Sequence, residues 1–162
     1  MIGLVAVELG RTKRVTGCDV NPLVVKVAEQ AAGRVISCCP EAEIHFFVAH
    51  AVPEAEQHQF EVMRLIDVMH HVPKPLQDEF LKSALARVKR GGRLVYKDMG
   101  VRPAWRAVAN RLHDLVRAKQ LIQYYPMNRA IDLASKHGFG VSKIERYTRL
   151  WYQHEIAVFE HV

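Results

Sequence analysis

Long hydrophobic runs are missing from this sequence. No stretch of about 18 or more apolar residues occurs, so no membrane-spanning helix is expected. The apolar start, Met1-Ile2-Gly3-Leu4-Val5-Ala6-Val7-Glu8-Leu9, has neither a basic flank nor a small-residue cleavage site, and reads as structure rather than a signal peptide. Cysteine is scarce. The three residues Cys18, Cys38 and Cys39 are odd in number and two are adjacent, which argues against a disulfide framework and for a reducing cytoplasm. No His or Cys stands at ligand spacing from them, so ordinary thiols are expected and no metal site. Blocks of like charge are absent too. The formal charge of +6 is spread from Arg11 to Arg149, without a nucleic-acid motif and without aromatics interleaved among Lys and Arg. A solvated basic surface is expected, not a nucleic-acid interface. Finally, no Gly-x-Gly-x-x-Gly follows a strand, which disfavours a nicotinamide-dependent oxidoreductase.

What is there is enough for one soluble domain over residues 1–162, with 49% apolar and 25% charged residues. The chain is organised around Phe60–Asp98. Phe60–Asp67 is a short apolar run with β-branched residues, the pattern of a buried strand. Val68–Pro73 follows as a loop, with Pro73 and Pro75 delaying the next helix. From Leu76 to Lys89 the residues Leu76, Phe80, Leu81, Ala84, Leu85 and Val88 form one apolar helical face. Gly91-Gly92 reads as the left-handed helix stop, and Arg93–Asp98 as a second strand. Strand, crossover helix and strand make a βαβ unit with parallel neighbouring strands.

Upstream, Arg14–Asp19 is a compact strand ending in an acid, and Asn21-Pro22 opens a helix running to about Gly33. Glu43–Ala49 reads as a strand apolar enough to be buried on both faces, with His45 and His58 as surface residues. Gly3–Gly10 fits either a short helix or a strand. Downstream, Trp105, Val108, Leu112, Leu115 and Ile122 make a helical stripe, Asn128 is placed to cap a helix over 129–136, and Val141–Tyr147 with Tyr152–Phe159 reads as an antiparallel pair. Trp105, His113, Tyr124 and Tyr125 are candidates to line an aromatic or acyl pocket, with plain core as the competing reading.

Two segments carry a family resemblance: Phe60-Glu61-Val62 through Asp67-Val68-Met69-His70-His71-Val72-Pro73, and Arg87-Val88-Lys89-Arg90-Gly91-Gly92-Arg93-Leu94-Val95. In order and spacing they resemble the fourth and fifth strand motifs of class I S-adenosylmethionine-dependent methyltransferases. Val15-Thr16-Gly17-Cys18-Asp19-Val20-Asn21-Pro22 is similar to the second strand, and Ile2-Gly3-Leu4 to the last glycine of the Gly-rich loop. The resemblance runs from about residue 2 to the end, but the first strand and the earlier loop glycines are not in this sequence.

The resemblance implies an α/β fold: a three-layer Rossmann-like sheet, mostly parallel with an antiparallel C-terminal strand, its first strand missing. It implies methyl transfer from S-adenosylmethionine to a small-molecule acceptor, or else a degenerate, non-catalytic relative that serves as a binding or assembly module. Asp19 takes the ribose role, Gly3 belongs to the cofactor loop, His50 with Ala51 stands near the adenine, and Ile66 lines the methionine end. His70 or His71 is placed to orient or deprotonate the acceptor. A sheet without its central strand leaves two open edges. Either those two strands pair directly, or Met1–Leu9 turns into a strand, or a second chain fills the gap. A homodimer with an interface built partly from residues 1–20 is the expectation.

Overall fold

The computed structural model describes residues 2–52, 59–100, 123–149 and 152–162. The chain resolves into two compact units, Met1–Pro53 and Glu54–Val162.

The first unit begins with helix α1, Ile2–Glu8, so the strand alternative for Met1–Leu9 does not hold. Leu4 and Val7, three residues apart, turn inward from this helix, and Gly10 at φ 64° ends it in the left-handed region that favours glycine. Strand β1, Arg14–Asp19, leads through Asn21 into helix α2, Pro22–Cys38, five residues longer than the glycine at 33 suggested. The helix opens at Asn21-Pro22 as expected, and Asn21 caps it, its side-chain oxygen accepting the Leu23 N–H at 2.9 Å. Strand β2, Glu43–Val48, runs parallel to β1 in register from Arg14↔Glu43 to Asp19↔Val48. Leu4, Val7, Ala32 and Val35 form the core, with Val15, Ile44 and Phe46 packed against it. Both helices therefore cover one sheet face. β2 is not buried on both faces: His45 and Phe47, on the face opposite Ile44 and Phe46, are exposed, Phe47 at 36%, because the described residues of this unit supply no layer for that side.

In the second unit strand β3, Phe60–Ile66, pairs in parallel with strand β4, Val88–Met99, as the βαβ reading requires. Between them lie single 3-10 turns at Met69–His71 and Lys74–Leu76, then helix α3, Gln77–Leu85. The helix is shorter than its apolar stripe, and β4 starts five residues earlier than expected. Phe60 pairs with Val88 and Val62 with Arg93, so Lys89–Gly92 bulges out of the strand. Gly91-Gly92 thus serves this bulge rather than a helix stop: Gly91 has φ 72°, and a Cβ on Gly92 would sit 2.8 Å from the Glu61 and Lys89 carbonyl oxygens.

Helix α4, Met127–Lys136, follows Pro126. Asn128 lies inside its first turn and makes no side-chain cap bond; Pro126 holds the cap position. Strands β5, Phe139–Arg149, and β6, Tyr152–His161, are antiparallel, and the sheet order is β3-β4-β6-β5. Leu81, Leu85, Leu94 and Phe159 are fully buried at its centre. Among the described residues β1 lies in a two-stranded sheet with β2, and β3 in the four-stranded sheet. The expected stripe at Trp105–Ile122 and His58 fall outside the described residues. Tyr124 and Tyr125 are buried, and Tyr125 donates its hydroxyl to Asp78 at 2.7 Å, which is core behaviour.

Candidate functional site: two clusters at strand carboxyl ends

Ligands of open α/β sheets bind beyond the carboxyl ends of the strands, and each unit gathers chemistry-bearing residues there. In the first unit Asp19 ends β1. Its backbone carbonyl accepts the Ala49 N–H at 3.1 Å, which holds the start of the His50-Ala51 bend to the same end of the sheet. His50 and Ala51 are both exposed. Asp19 Oδ1 accepts the Asn21 N–H at 2.8 Å, while Oδ2 takes no hydrogen bond among the described residues. A half-buried carboxylate with one uncommitted oxygen suits a donor such as a sugar hydroxyl.

Gly3 has a packing reason to be glycine. A Cβ there would stand 2.7 Å from Val15 Cγ1, so its absence lets α1 lie close on β1.

The second cluster surrounds the end of β3. Ile66 is its last residue and pairs with Lys97. Asp67 then turns the chain with φ 56°, unusual for a residue with a side chain and a kind of strain that concentrates at functional sites. Its N–H donates to the Lys97 carbonyl at 2.9 Å, and Lys97 Nζ donates to its Oδ2. Oδ1 is buried with no partner among the described residues.

The histidine pair splits. His71 is exposed, whereas His70 is 3% exposed and its ring Nδ1 is hydrogen-bonded to Asp98 Oδ1. The two rings lie 4.0 Å apart, tilted by 47°. Asp98 is 2% exposed and also accepts the His70 N–H at 3.1 Å and the Met99 N–H at 2.7 Å. Buried Gln77 ties the loop down by donating to the Met69 carbonyl at 3.0 Å and the Gln123 carbonyl at 2.6 Å.

Asp98 and Gln77 are buried neighbours of the histidine loop that the sequence reading missed. A signal for Asp98 existed: it has the same strand parity as Leu94 and Tyr96, so it must point inward with them. The structure therefore brings together Asp19, His50 and Ala51 in one unit, and Ile66, His70 and His71 in the other.

Comparison with known proteins settles the family. A model described as a methyltransferase domain matches residues 3–144. The chain belongs to the methyltransferase-domain family. Its fold matches solved structures widely. One is an S-adenosylmethionine-dependent methyltransferase from Methanosarcina mazei, at 16% identity and TM-score 0.70, with 97% of this chain and 86% of that one covered. Another is magnesium protoporphyrin IX methyltransferase from Synechocystis PCC 6803 with bound SAH, at 13% identity and TM-score 0.69, covering 91% and 64%. A third is an O-methyltransferase family 2 protein from Planctomyces limnophilus in complex with apigenin, at 15% identity and TM-score 0.68, covering 98% and 46%. No curated protein matches.

The family's methyl donor is S-adenosylmethionine, and Asp19 keeps one carboxylate oxygen that could accept from a hydroxyl such as a ribose hydroxyl. When bound, that cofactor supplies an electrophilic methyl carbon on a sulfonium. Among the described residues no group of three or more His, Cys, Asp or Glu is arranged for a metal, and no helix is long and apolar enough to cross a membrane.

Proposed function

We propose that this methyltransferase moves a methyl group from S-adenosylmethionine to a small molecule bearing an ionisable O–H or N–H. Asp19 takes the ribose hydroxyls, Gly3, His50 and Ala51 line the rest of the nucleoside side, and Ile66 lines the methionine side. His70 accepts the acceptor's proton and exposed His71 orients the acceptor. The observation that carries the reading is the buried His70–Asp98 pair, with His70 just beyond the carboxyl end of β3 and Asp98 within the last residues of the parallel β4. Imidazole gains and loses a proton near neutral pH, and burial keeps bulk water from competing for it. The three unpaired thiols agree with a reducing cytoplasm as its setting.

Calorimetric titration with S-adenosylmethionine tests this directly. Binding at micromolar concentration is expected, weakened in Asp19→Ala by about 1.5–3 kcal/mol for each charge-assisted bond lost. A wild-type protein that stays silent at millimolar cofactor would instead be a non-catalytic relative. Unchanged affinity in Asp19→Ala would remove that residue from the site.

Self-association belongs to the same proposal. Ile2, Val5 and Leu9 on and beside α1 are 58%, 50% and 68% exposed, and Val20 is 58% exposed. β1 has a ladder partner on one side only among the described residues. Apolar exposure beside an open strand edge favours a second copy, and a homodimer built partly from residues 1–20 is expected. A clean 18.5 kDa species in sedimentation equilibrium at micromolar concentration overturns it.

A further inference from the structure

We propose that the free edge of β2 and the side of α2 next to it form a docking groove for an extended, basic segment of a partner protein, which joins the first unit's sheet as a strand beside β2.

The backbone makes the first half of this groove. Among the described residues β2 pairs only with β1. The Glu43 N–H donates to the Lys13 carbonyl and the Ala49 N–H to the Asp19 carbonyl, so residues of this parity turn their backbone groups toward β1. Strand alternation then turns the N–H and C=O groups of Ile44, Phe46 and Val48 to the open edge, where no described residue takes them. Exposed edges are usually blunted by lysine, proline or a bulge. β5, at the edge of the second unit's sheet, has a bulge between Val141 and Lys143, with that lysine beside it. β2 contains neither lysine nor proline and pairs without a bulge. Its edge is left fit to take a strand.

The side chains make the second half. A groove of about 240 Å³ is lined by Ala32, Gly33 and Ile36 of α2 and by Ile44 and Phe46 of β2, with Glu29 the one acid in its wall. That volume lies below the roughly 300–1,000 Å³ of small-molecule sites and suits a row of strand side chains instead. Gly33 points the same way. Glycine is disfavoured inside a helix, yet a Cβ here would meet nothing within 4 Å, so packing within this chain does not require it. The bare backbone lets another chain approach α2 closely.

Charge selects the occupant. The chain carries +6 overall, so a basic peptide has no general attraction to its surface. At this groove, however, Glu29 and Glu43 are exposed, and neither forms an ion pair with a described residue, the Arg14 beside Glu43 in the ladder included. Lys26, nearer the start of α2, stands outside the lining. Glu43 lies on the sheet face opposite Ile44. A strand with apolar residues toward α2 and Lys or Arg toward Glu43 therefore matches both faces, the second through cross-strand pairs of opposite charge.

The test uses the full chain and a fluorescein-labelled, end-blocked hexapeptide of alternating valine and lysine, followed by fluorescence anisotropy. Wild type should bind it, and should bind a peptide of the same composition with lysines and valines in separate blocks about tenfold more weakly or worse. Gly33→Leu fills the groove from open space, so it should weaken the alternating peptide about tenfold or more while raising Tm through better helix propensity. Glu29→Lys should weaken it as well. N-methylation at the valine amides and, separately, at the lysine amides should abolish binding in one case only, because a strand turns alternate N–H groups to its neighbour. A wild type silent at millimolar peptide overturns the proposal, and so does equal binding by wild type and Gly33→Leu. Equal binding of the two methylated peptides overturns it too, since no strand is then added. Val48→Pro, which removes an edge N–H, tests the other occupant. If it turns a dimer into a monomer in sedimentation while wild type ignores the peptide, a second copy fills the edge and the proposal falls.

Discussion

The two units use the same parts, parallel strands joined through a helix, and bury them to different depths. In the second unit β4 has ladder partners on both sides, and Leu94, Tyr96 and Asp98 are all at or below 2% exposure. In the first unit no residue of β1 reaches full burial, and α2 leaves Leu23 and Val27 at 71% and 60% exposure. The difference decides what kind of polar group each can hold. A carboxylate at the wet end of β1 keeps an oxygen for a ligand. A carboxylate at the dry end of β4 is saturated by protein donors and acts through the histidine it holds. Removing a partner from such a buried pair is far more damaging than removing one from a half-solvated acid.

The comparison breaks most sharply under core truncation. Leu81→Ala in the second unit removes a fully buried side chain whose surroundings have little room to collapse, and should cost about 3–5 kcal/mol in urea denaturation. Leu4→Ala in the first unit, at a site 4% exposed within a thin core, should cost nearer 2 kcal/mol, the low end for such changes. Equal losses would mean that the first unit is packed as tightly as the second, and the contrast would fall.

Helix capping sharpens the same contrast in the opposite direction, because here the thinner unit has the better local device. Asn21→Ala removes the bond to the Leu23 N–H and should destabilise by about 1 kcal/mol. Asn128→Ala, with no cap bond to lose, should stay within about 0.5 kcal/mol of wild type. Thermal unfolding of the pair checks both, and a reversal would show that Asn128 carries the cap of α4.

The opening of α2 at Asn21-Pro22 was legible because helix starts are written in neighbouring residues, as were the terminal strand pair and the acid ending β1. The extent of β4 was not. The apolar stripe through Leu85 and Val88 continues helical spacing, and only pairing of Phe60 with Val88 pulls Val88 into a strand. The exposure of β2 was equally hidden, since a run such as Ile44–Val48 reads as doubly buried whether or not a second layer exists to cover it. The histidine pair was visible as a motif, but which member points inward depends on Asp98, 28 residues away across the β3–β4 pairing.

The smallest effect concerns the surface of the second unit, where Arg129 Nη2 donates to Asp78 Oδ2 at 2.7 Å and Tyr125 donates to Oδ1. The Arg129 hydrogen bond first, and the Tyr125 hydrogen bond second, hold the Asp78 carboxyl below its ordinary value. A lowered carboxylate stabilises the fold above its unfolded pKa, about 3.9, and that contribution is lost as pH falls through the folded value. Because Asp78 is partly solvated, the pair is screened and weak. Asp78→Asn should therefore lower Tm by no more than about 2 °C at pH 6, with the gap constant from about pH 5 to 7 and closing below about pH 4. A gap that persists undiminished at pH 3 would assign the loss to the Tyr125 contact and its packing rather than to charge. Added salt separates the two again, shrinking the difference only where it is electrostatic.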